Sequence, residues 1–304
     1  MPSIIVPARN NQALTSNCLA SILLSVSRLN LSCEFILIDD ASEEGENIID
    51  VFQQHRANAT HHCKIVRTRK HQHYSGVFSI GLHLSTHDVI FFISNDMLVT
   101  PSFLEGLLLV SSLSRDIGVV RGTSNYTDSH PEHQVEPPQP VKTYPEIESF
   151  SRNQFSAKGC SYAEDILLSG DAVLVKRSLV ERIGVLDQRF FGYFGDIDYG
   201  MRAQLAGFKL VCAKGAWLYH EGAGHLKRQL QSNPQIKYEQ LHAKRMALVE
   251  AAFQEFRHKW HVEGGESAAG LRSAEFIRKG LANGDRVALK YDFPQSVMDD
   301  VEFY

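Results

Sequence analysis

The chain has 304 residues, of which 43% are hydrophobic, 22% charged and 10% aromatic, ordinary values for a globular protein. Lysine and arginine number 31 against 35 acidic residues, and the resulting formal charge of −4 excludes a surface built throughout for nucleic acid. Five scattered cysteines (Cys18, Cys33, Cys63, Cys160, Cys212) form no CxxC pair, which points to reduced thiols rather than a disulfide framework or structural zinc.

In chain order, short apolar runs alternate with longer amphipathic ones, the pattern of an α/β protein with a mostly parallel sheet between helical layers. Ser3-Ile4-Ile5-Val6 is strand-like from the outset, so neither a leader nor an anchor is expected there, and Ile4 to Pro7 is read as a buried strand. A helix follows over Asn11 to Leu29, with Leu19, Ile22, Leu23 and Val26 on one face. Phe35 to Ile38, Lys64 to Thr68 and Val89 to Ile93 are the next strands, with helices at Glu46 to Arg56 and Ser75 to Leu84 between them. Pro101 opens a helix carrying Phe103, Leu104, Leu107 and Leu108, with Thr100 placed to cap it. The apolar runs Val89–Ile93 and Phe103–Leu113 fall short of the ~18–20 residues a membrane span needs, so a soluble, cytoplasmic chain is expected.

After a strand at Ile117 to Arg121 the rhythm breaks. Residues 123–160 hold half of the ten prolines and are read as one long excursion. Regular structure resumes with a strand at Ala172 to Lys176, helices at Ser178 to Ile183 and Asp196 to Ala206, and a strand at Phe208 to Cys212. A long helix is expected over Asn233 to Trp260, and the acidic, aromatic segment Tyr291 to Tyr304 is read as a tail. Domain boundaries follow at 1–225 for a catalytic α/β unit and 226–304 for a helical extension.

Ligands of open α/β sheets bind beyond the carboxyl ends of the strands. Here those ends carry Pro7-Ala8-Arg9-Asn10, Asp39-Asp40-Ala41-Ser42 and Ser94-Asn95-Asp96. Each cluster alone reads equally as turns and caps, but three at one sheet edge point to a site. Neither GxGxxG nor GxxxxGK[ST] occurs, so no glycine loop cradles a phosphate. A divalent ion on a carboxylate is the usual substitute, and Asp96, just past a strongly apolar strand, is the natural ligand, with Asn95 and Ser94 holding water or ribose beside it.

The same residues resemble a known family. Ile4 to Asn10, Ile38 to Ser42, Tyr74-Ser75-Gly76 with Gly81, and Phe92 to Asp96 are similar to the nucleotide-binding half of family 2 glycosyltransferases of the GT-A fold, closest to the rhamnosyltransferase-like branch. Ser169-Gly170-Asp171-Ala172, Gly184 to Asp187, Phe190-Phe191, Tyr193 to Asp198, Arg202, Ala206-Gly207-Phe208 and His220-Glu221-Gly222 resemble its acceptor-side half. The likeness covers residues 3 to 225. It departs at Ser79, His73, Asp171 and Gly195, where the family more often has Asn, Gly, a small apolar residue and Glu.

The resemblance implies metal-dependent, inverting transfer of a sugar from a nucleotide-diphosphate sugar to an acceptor hydroxyl on a glycan, glycolipid or polysaccharide precursor. It implies Mn2+ or Mg2+ on Asp96 and His220, although His220 alone reads as a satisfied histidine after Trp217-Leu218-Tyr219. It places Pro7, Ala8, Arg9, Asn10, Asp39, Asp40, Gly76, Ser94, Asn95 and Asp96 on the donor, with Asp39 on the base and Asp40 either near the ribose or finishing the turn. It places Gly170 and Asp171 on the sugar or acceptor, Asp196 as general base and Asp198 as an orienting residue. Arg9 and Arg69 read equally as phosphate contacts and as solvated surface, and His55, His61, His62, His71 and His73 as a solvated surface. Residues 226–260 carry seven Lys or Arg against three Glu, read either as a solvated helix face or as a contact for an anionic, lipid-linked acceptor at a membrane surface. Gly222-Ala223-Gly224 is read as a lid hinge. The alternative function is a non-catalytic GT-A module that binds a sugar nucleotide or a partner protein. Gly195 favours that alternative, while Asp96, Asp196 and His220 oppose it.

Overall fold

A computed structural model of the chain describes residues 1–57, 61–127, 131–222, 238–263 and 274–304. The first strand, β1 (Pro2–Ala8), is followed by α1 (Gln12–Arg28), β2 (Glu34–Asp39), α2 (Ile48–Ala57), β3 (His62–Thr68), α3 (His73–Leu84) and β4 (Val89–Ile93). A two-residue strand β5 (Met97–Leu98) precedes α4 (Pro101–Ser112) and β6 (Ile117–Ser124). Then come α5 (Tyr144–Lys158), β7 (Tyr162–Asp165), β8 (Ala172–Lys176), α6 (Arg177–Ile183), α7 (Gly195–Leu205) and β9 (Lys209–His220). The C-terminal part supplies α8 (Tyr238–Trp260), α9 (Ala274–Ala282), α10 (Gln295–Met298) and β10 (Val301–Phe303).

The sheet order is β10-β3-β2-β1-β4-β8-β6-β9-β5, with β7 also on β9. Strands β1, β2, β3, β4, β6 and β9 run one way, and β8 enters antiparallel between β4 and β6. The sheet is thus mostly parallel, as expected. Alternation along β1 sends Ile4 and Val6 to one face and Ile5 to the other. The first face is covered by α1, α2 and α4 through Leu19, Ile22, Phe52, Phe103 and Leu107. The second is covered by α3, α6 and α7 through Phe78, Leu179, Ile183 and Tyr199. A third apolar cluster joins Phe190, Phe194, Ile197 and Met201 to Phe253, Phe256 and Trp260 of α8 and Phe276 and Ile277 of α9.

Several expectations are sharpened. The proline-rich excursion contains α5, started by a capping box between Thr143 and Glu146 with Pro145 in the first turn, where a proline costs no hydrogen bond. Thr100 caps α4 as expected, accepting from the Phe103 N–H. The strand expected at Phe208 to Cys212 is the start of β9, which continues to His220 through register shifts against β6. The tail is not free chain, because Val301–Phe303 pairs antiparallel with Val66–Thr68 and closes that edge of the sheet. No described helix is long and apolar enough to cross a membrane.

The C-terminal part is also stitched to the segment after α6. The Val185 N–H donates to the Tyr291 carbonyl at 2.8 Å, and the Tyr291 N–H donates to that of Ile183 at 3.1 Å. Gly184 permits this approach with φ 70° and ψ −143°, and a Cβ there would overlap the Tyr291 carbonyl. Gly184→Ala is therefore expected to destabilise the fold by about 2–6 kcal/mol, combining backbone strain of ~1–3 with overpacking of ~1–3. Urea denaturation checks it, and a change below about 0.5 kcal/mol, within the range of ordinary surface substitutions, would contradict it.

Candidate active site

The three polar clusters meet at one edge of the sheet. β4 ends at Ile93, and the chain turns through Ser94, Asn95 and Asp96 into β5, which pairs with the end of β9 in the register Met97↔His220. This short ladder brings residues 96 and 220 together. The Glu221 N–H donates to the Asp96 carbonyl at 3.0 Å, and Asp96 Oδ2 lies 3.3 Å from His220 Nε2. The Asn125 side chain brackets the His220 backbone, accepting from its N–H at 2.7 Å and donating to its carbonyl at 2.9 Å.

His220 is buried, with Nδ1 3.2 Å from the Tyr126 carbonyl. That carbonyl accepts only, so Nδ1 carries a proton, and Nε2 faces the Asp96 carboxylate. Burial alone would lower the imidazole pKa, but the hydrogen bond and charge of Asp96 and the charge of Asp171 raise it. Asp171 Oδ2 lies 3.8 Å from His220 Nδ1, and its Oδ1 lies 3.8 Å from the buried Arg121 guanidinium. A carboxylate and an imidazole side by side form a donor set that suits a divalent cation such as Mn2+ or Mg2+ once Nε2 gives up its proton. Ser94 faces β8, its N–H donating to the Asp171 carbonyl at 2.9 Å, while Asn95 donates to Thr15 of α1 at 2.9 Å.

At the ends of β1 and β2, Asp39 and Asp40 are both buried and bonded. Asp39 accepts from Arg67 at 2.7 Å and from the Ser42 N–H at 3.0 Å. Asp40 accepts from the Gln72 N–H at 2.6 Å and Thr68 Oγ1 at 3.1 Å, and its other oxygen lies 2.7 Å from His71 Nδ1. The Asp40 N–H donates to the Ala8 carbonyl, continuing β1 against β2 past Pro7. Asn10 reaches the same turn, its N–H donating to Ser42 Oγ at 2.8 Å and its side chain accepting from the Glu43 N–H at 2.8 Å. Arg9 is exposed, and Arg69 pairs with Glu302 of the C-terminal segment at 2.9 Å. Gly76 lies in the first turn of α3, buried against Gln72 and Gln188.

The Tyr193–Asp198 motif leads into the start of α7. Asp196 is half-buried, and its oxygens accept from the Gly170 N–H at 3.1 Å and the Ile197 N–H at 2.9 Å. Desolvation raises its carboxyl pKa, the Asp171 charge adds to that, and the two N–H bonds offset part of it. Tyr74 donates to the Gly170 carbonyl at 3.1 Å, and burial holds its phenol far above the ordinary value, so it stays a neutral donor. Gly195 is explained by its neighbour, because a Cβ there would overlap Ser75 Oγ, itself bonded to the Phe190 carbonyl. A side chain at 195 would require Ser75 to turn away from the Phe190 carbonyl.

Asp198 has a different environment. Two residues apart on a helix, Asp196 and Asp198 point to nearly opposite sides. Asp198 is fully buried, its Oδ2 on Arg202 at 2.9 Å and its Oδ1 on Lys259 Nζ at 2.5 Å and Trp260 Nε1 at 3.1 Å. Of the basic stretch, Lys227, Arg228 and Lys237 lie outside the described residues, as do Ala223 and Gly224 of the expected hinge. Lys259 turns inward instead of joining a solvated face. Of the histidines read as surface, His71 is bound to Asp40 and His55 lies 3.1 Å from Ser16 Oγ.

Arg67, Arg121 and Asn125 carry no signal in the sequence, since their partners lie 28 to 95 residues away and no local spacing announces them, while Tyr74 and Lys259 enter there only within a motif and a basic stretch. Among the described residues, Glu132, His133 and Asp165 also lie close enough to share a metal, near the start of β9 rather than at its His220 end.

The glycosyl transferase family 2 profile matches residues 3–184, more than half of the chain. A search of curated proteins finds no match. Among solved structures, the chain is similar to a mannosyltransferase, PcManGT from Pyrobaculum calidifontis, in complex with GDP-Man and Mn2+. The TM-score is 0.55 at 14% identity, over 94% of this chain and 71% of that one. It is also similar to residues 1–349 of TarS from S. aureus, with a TM-score of 0.51 at 10% identity, over 97% of this chain and 82% of that one. These likenesses concern the fold, which is the GT-A arrangement expected. On the match over residues 3–184, the chain belongs to glycosyl transferase family 2.

Proposed function

We propose that the protein transfers a sugar, a hexose or deoxyhexose, from a nucleotide-diphosphate sugar to an acceptor hydroxyl, with inversion at C1. The observation that carries this reading is the Asp96–His220 pair, a carboxylate and an imidazole Nε2 held 3.3 Å apart by the β5–β9 ladder at the same sheet edge as Asp196. Asp96 and His220 would hold Mn2+ or Mg2+, which would supply positive charge against the departing diphosphate. The β1 and β2 ends, with Asp39 and Asp40, form the base and ribose side, and Asp171 and Gly170 face the transferred sugar. Asp196 takes the proton from the acceptor hydroxyl as its oxygen bonds to C1 and the C1–phosphate bond breaks, releasing the nucleoside diphosphate. Its raised pKa makes it a stronger base than an ordinary aspartate. Asp198 orients α7 from within the core. Residues 1–225 form the transferase unit and 226–304 its extension, and the rhamnosyltransferase-like branch supplies the first acceptors to try, polysaccharide and glycolipid precursors.

Incubation with a panel of UDP-, GDP- and dTDP-sugars, with Mn2+ or with chelator, tests the reading. Metal-dependent release of the nucleoside diphosphate from at least one donor is expected. No release from any donor under either condition would favour the non-catalytic module.

A further inference from the structure

A lysine near the end of an amphipathic helix ordinarily extends its stem along apolar surface and keeps its ammonium in water. Lys259 does the reverse. Its side chain is 3% exposed, and Nζ lies 2.9 Å from Asp187 Oδ2 and 2.5 Å from Asp198 Oδ1. The Tyr291 ring covers it at 4.4 Å and that of Phe190 at 5.4 Å. A buried ammonium is tolerated only when paired and hydrogen-bonded, and here both carboxylates also hold arginines, Arg189 on Asp187 and Arg202 on Asp198.

The two carboxylates are the ends of one segment. Asp187 precedes the turn that carries Phe190 and Phe191, and Asp198 lies in the first turn of α7, so residues 187–198 form a loop whose ends meet on one ammonium. Asp196 lies inside this loop. Phe194, just before α7, holds a left-handed conformation (φ 67°), and the Phe191 carbonyl accepts from the Ser75 N–H at 2.9 Å, so the loop also rests on α3. Next to Lys259, Trp260 donates to the same Asp198 oxygen.

We infer that Lys259, supplied by the C-terminal helix α8, is a positioning residue for transfer: it closes the 187–198 loop and fixes Asp196 against the reacting hydroxyl. The inference rests on Asp196 being the base, as proposed above. It makes the C-terminal extension part of the catalytic unit, although that extension lies beyond the family match.

Lys259→Met removes the ammonium and keeps the stem, and Lys259→Met combined with Asp187→Asn also removes one of the carboxylates it faced. Lys259→Arg restores a cation. Well below the unfolding midpoint, kcat of the Met variants is expected to fall about ten- to a hundredfold, the cost of a misplacement of roughly 1 Å or less. Donor KM should stay within twofold, and Lys259→Arg should recover part of kcat. Hydrogen exchange should quicken at least tenfold in peptides spanning 187–198 and stay unchanged in β1 to β4. Folded Met variants that keep kcat within twofold, or unaltered exchange over 187–198, would overturn the inference. So would loss of folding in both Met variants, which would make Lys259 a stability element only. A wild-type protein inactive on every donor would instead overturn the transferase reading, and with it the catalytic half of this one, while the exchange data still report the loop closure.

Discussion

Asp96→Asn is expected to lower turnover at saturating donor by about a hundred- to a thousandfold without unfolding the protein. A Lewis-acidic cation contributes several kcal/mol of charge stabilisation at a departing diphosphate, and each 1.36 kcal/mol is about a factor of ten. The substitution is nearly isosteric, so the Glu221–Asp96 backbone bond and the β5–β9 register, which do not involve the side chain, should persist. What changes is the ligand set, because an amide is a poorer partner than a carboxylate for a hard cation. Raising Mn2+ should recover part of the lost rate. Turnover as a function of Mn2+, alongside thermal unfolding, checks both halves. A variant with wild-type turnover and wild-type metal dependence would remove Asp96 from the metal site.

Asp196→Asn is expected to reduce kcat by about 10² to 10⁴, the usual contribution of a positioned general base, with donor KM little changed. Its pH signature separates a base from a structural carboxylate. The groups facing it are Asp171 and the neutral Tyr74 phenol, with the Gly170 and Ile197 N–H groups bonded to its oxygens. Burial and the Asp171 charge raise its pKa, so the catalytic carboxylate is fully present above that raised value and is lost as pH falls through it. The acid limb of the kcat profile should therefore lie above the ordinary aspartate value of about 3.9. Asp171→Asn removes the neighbouring charge and should shift that limb to lower pH. An acid limb unmoved in Asp171→Asn, or an Asp196→Asn variant with near wild-type kcat, would sink the assignment.

Much of the first half was legible in the sequence because it is periodic. The four strands at Ile4, Phe35, Lys64 and Val89 are short apolar runs with polar ends, and all four pair in the parallel block as β1 to β4. Those polar ends mark one edge because right-handed crossovers bring successive strand ends to the same side. What escaped is mostly tertiary. Helix α5 hid among prolines that sit before or in its first turn, where they do no harm. Strand β10 has no alternation of its own and exists because β3 offers an open edge. The pairing of Asp96 with His220 spans 124 positions and was approached only through family resemblance, since it depends on a two-residue strand. Asp196 and Asp198 looked alike in the motif, and only the packing of α8 shows one at the site edge and the other sealed around Lys259 and Arg202. Gly195 read as a defect in the family pattern, and the overlap with Ser75 shows it as part of the packing.

The central claim is that Asp96 and His220 hold a divalent cation against the diphosphate of a sugar nucleotide. Calorimetric titration of UDP-, GDP- and dTDP-sugars into the wild-type protein and Asp96→Asn, each in Mn2+ and in chelator, tests it most directly. At least one donor should bind the wild-type protein in Mn2+ and bind at least tenfold more weakly in chelator or to Asp96→Asn. Equal affinity in all four conditions, or no binding of any donor, would contradict it.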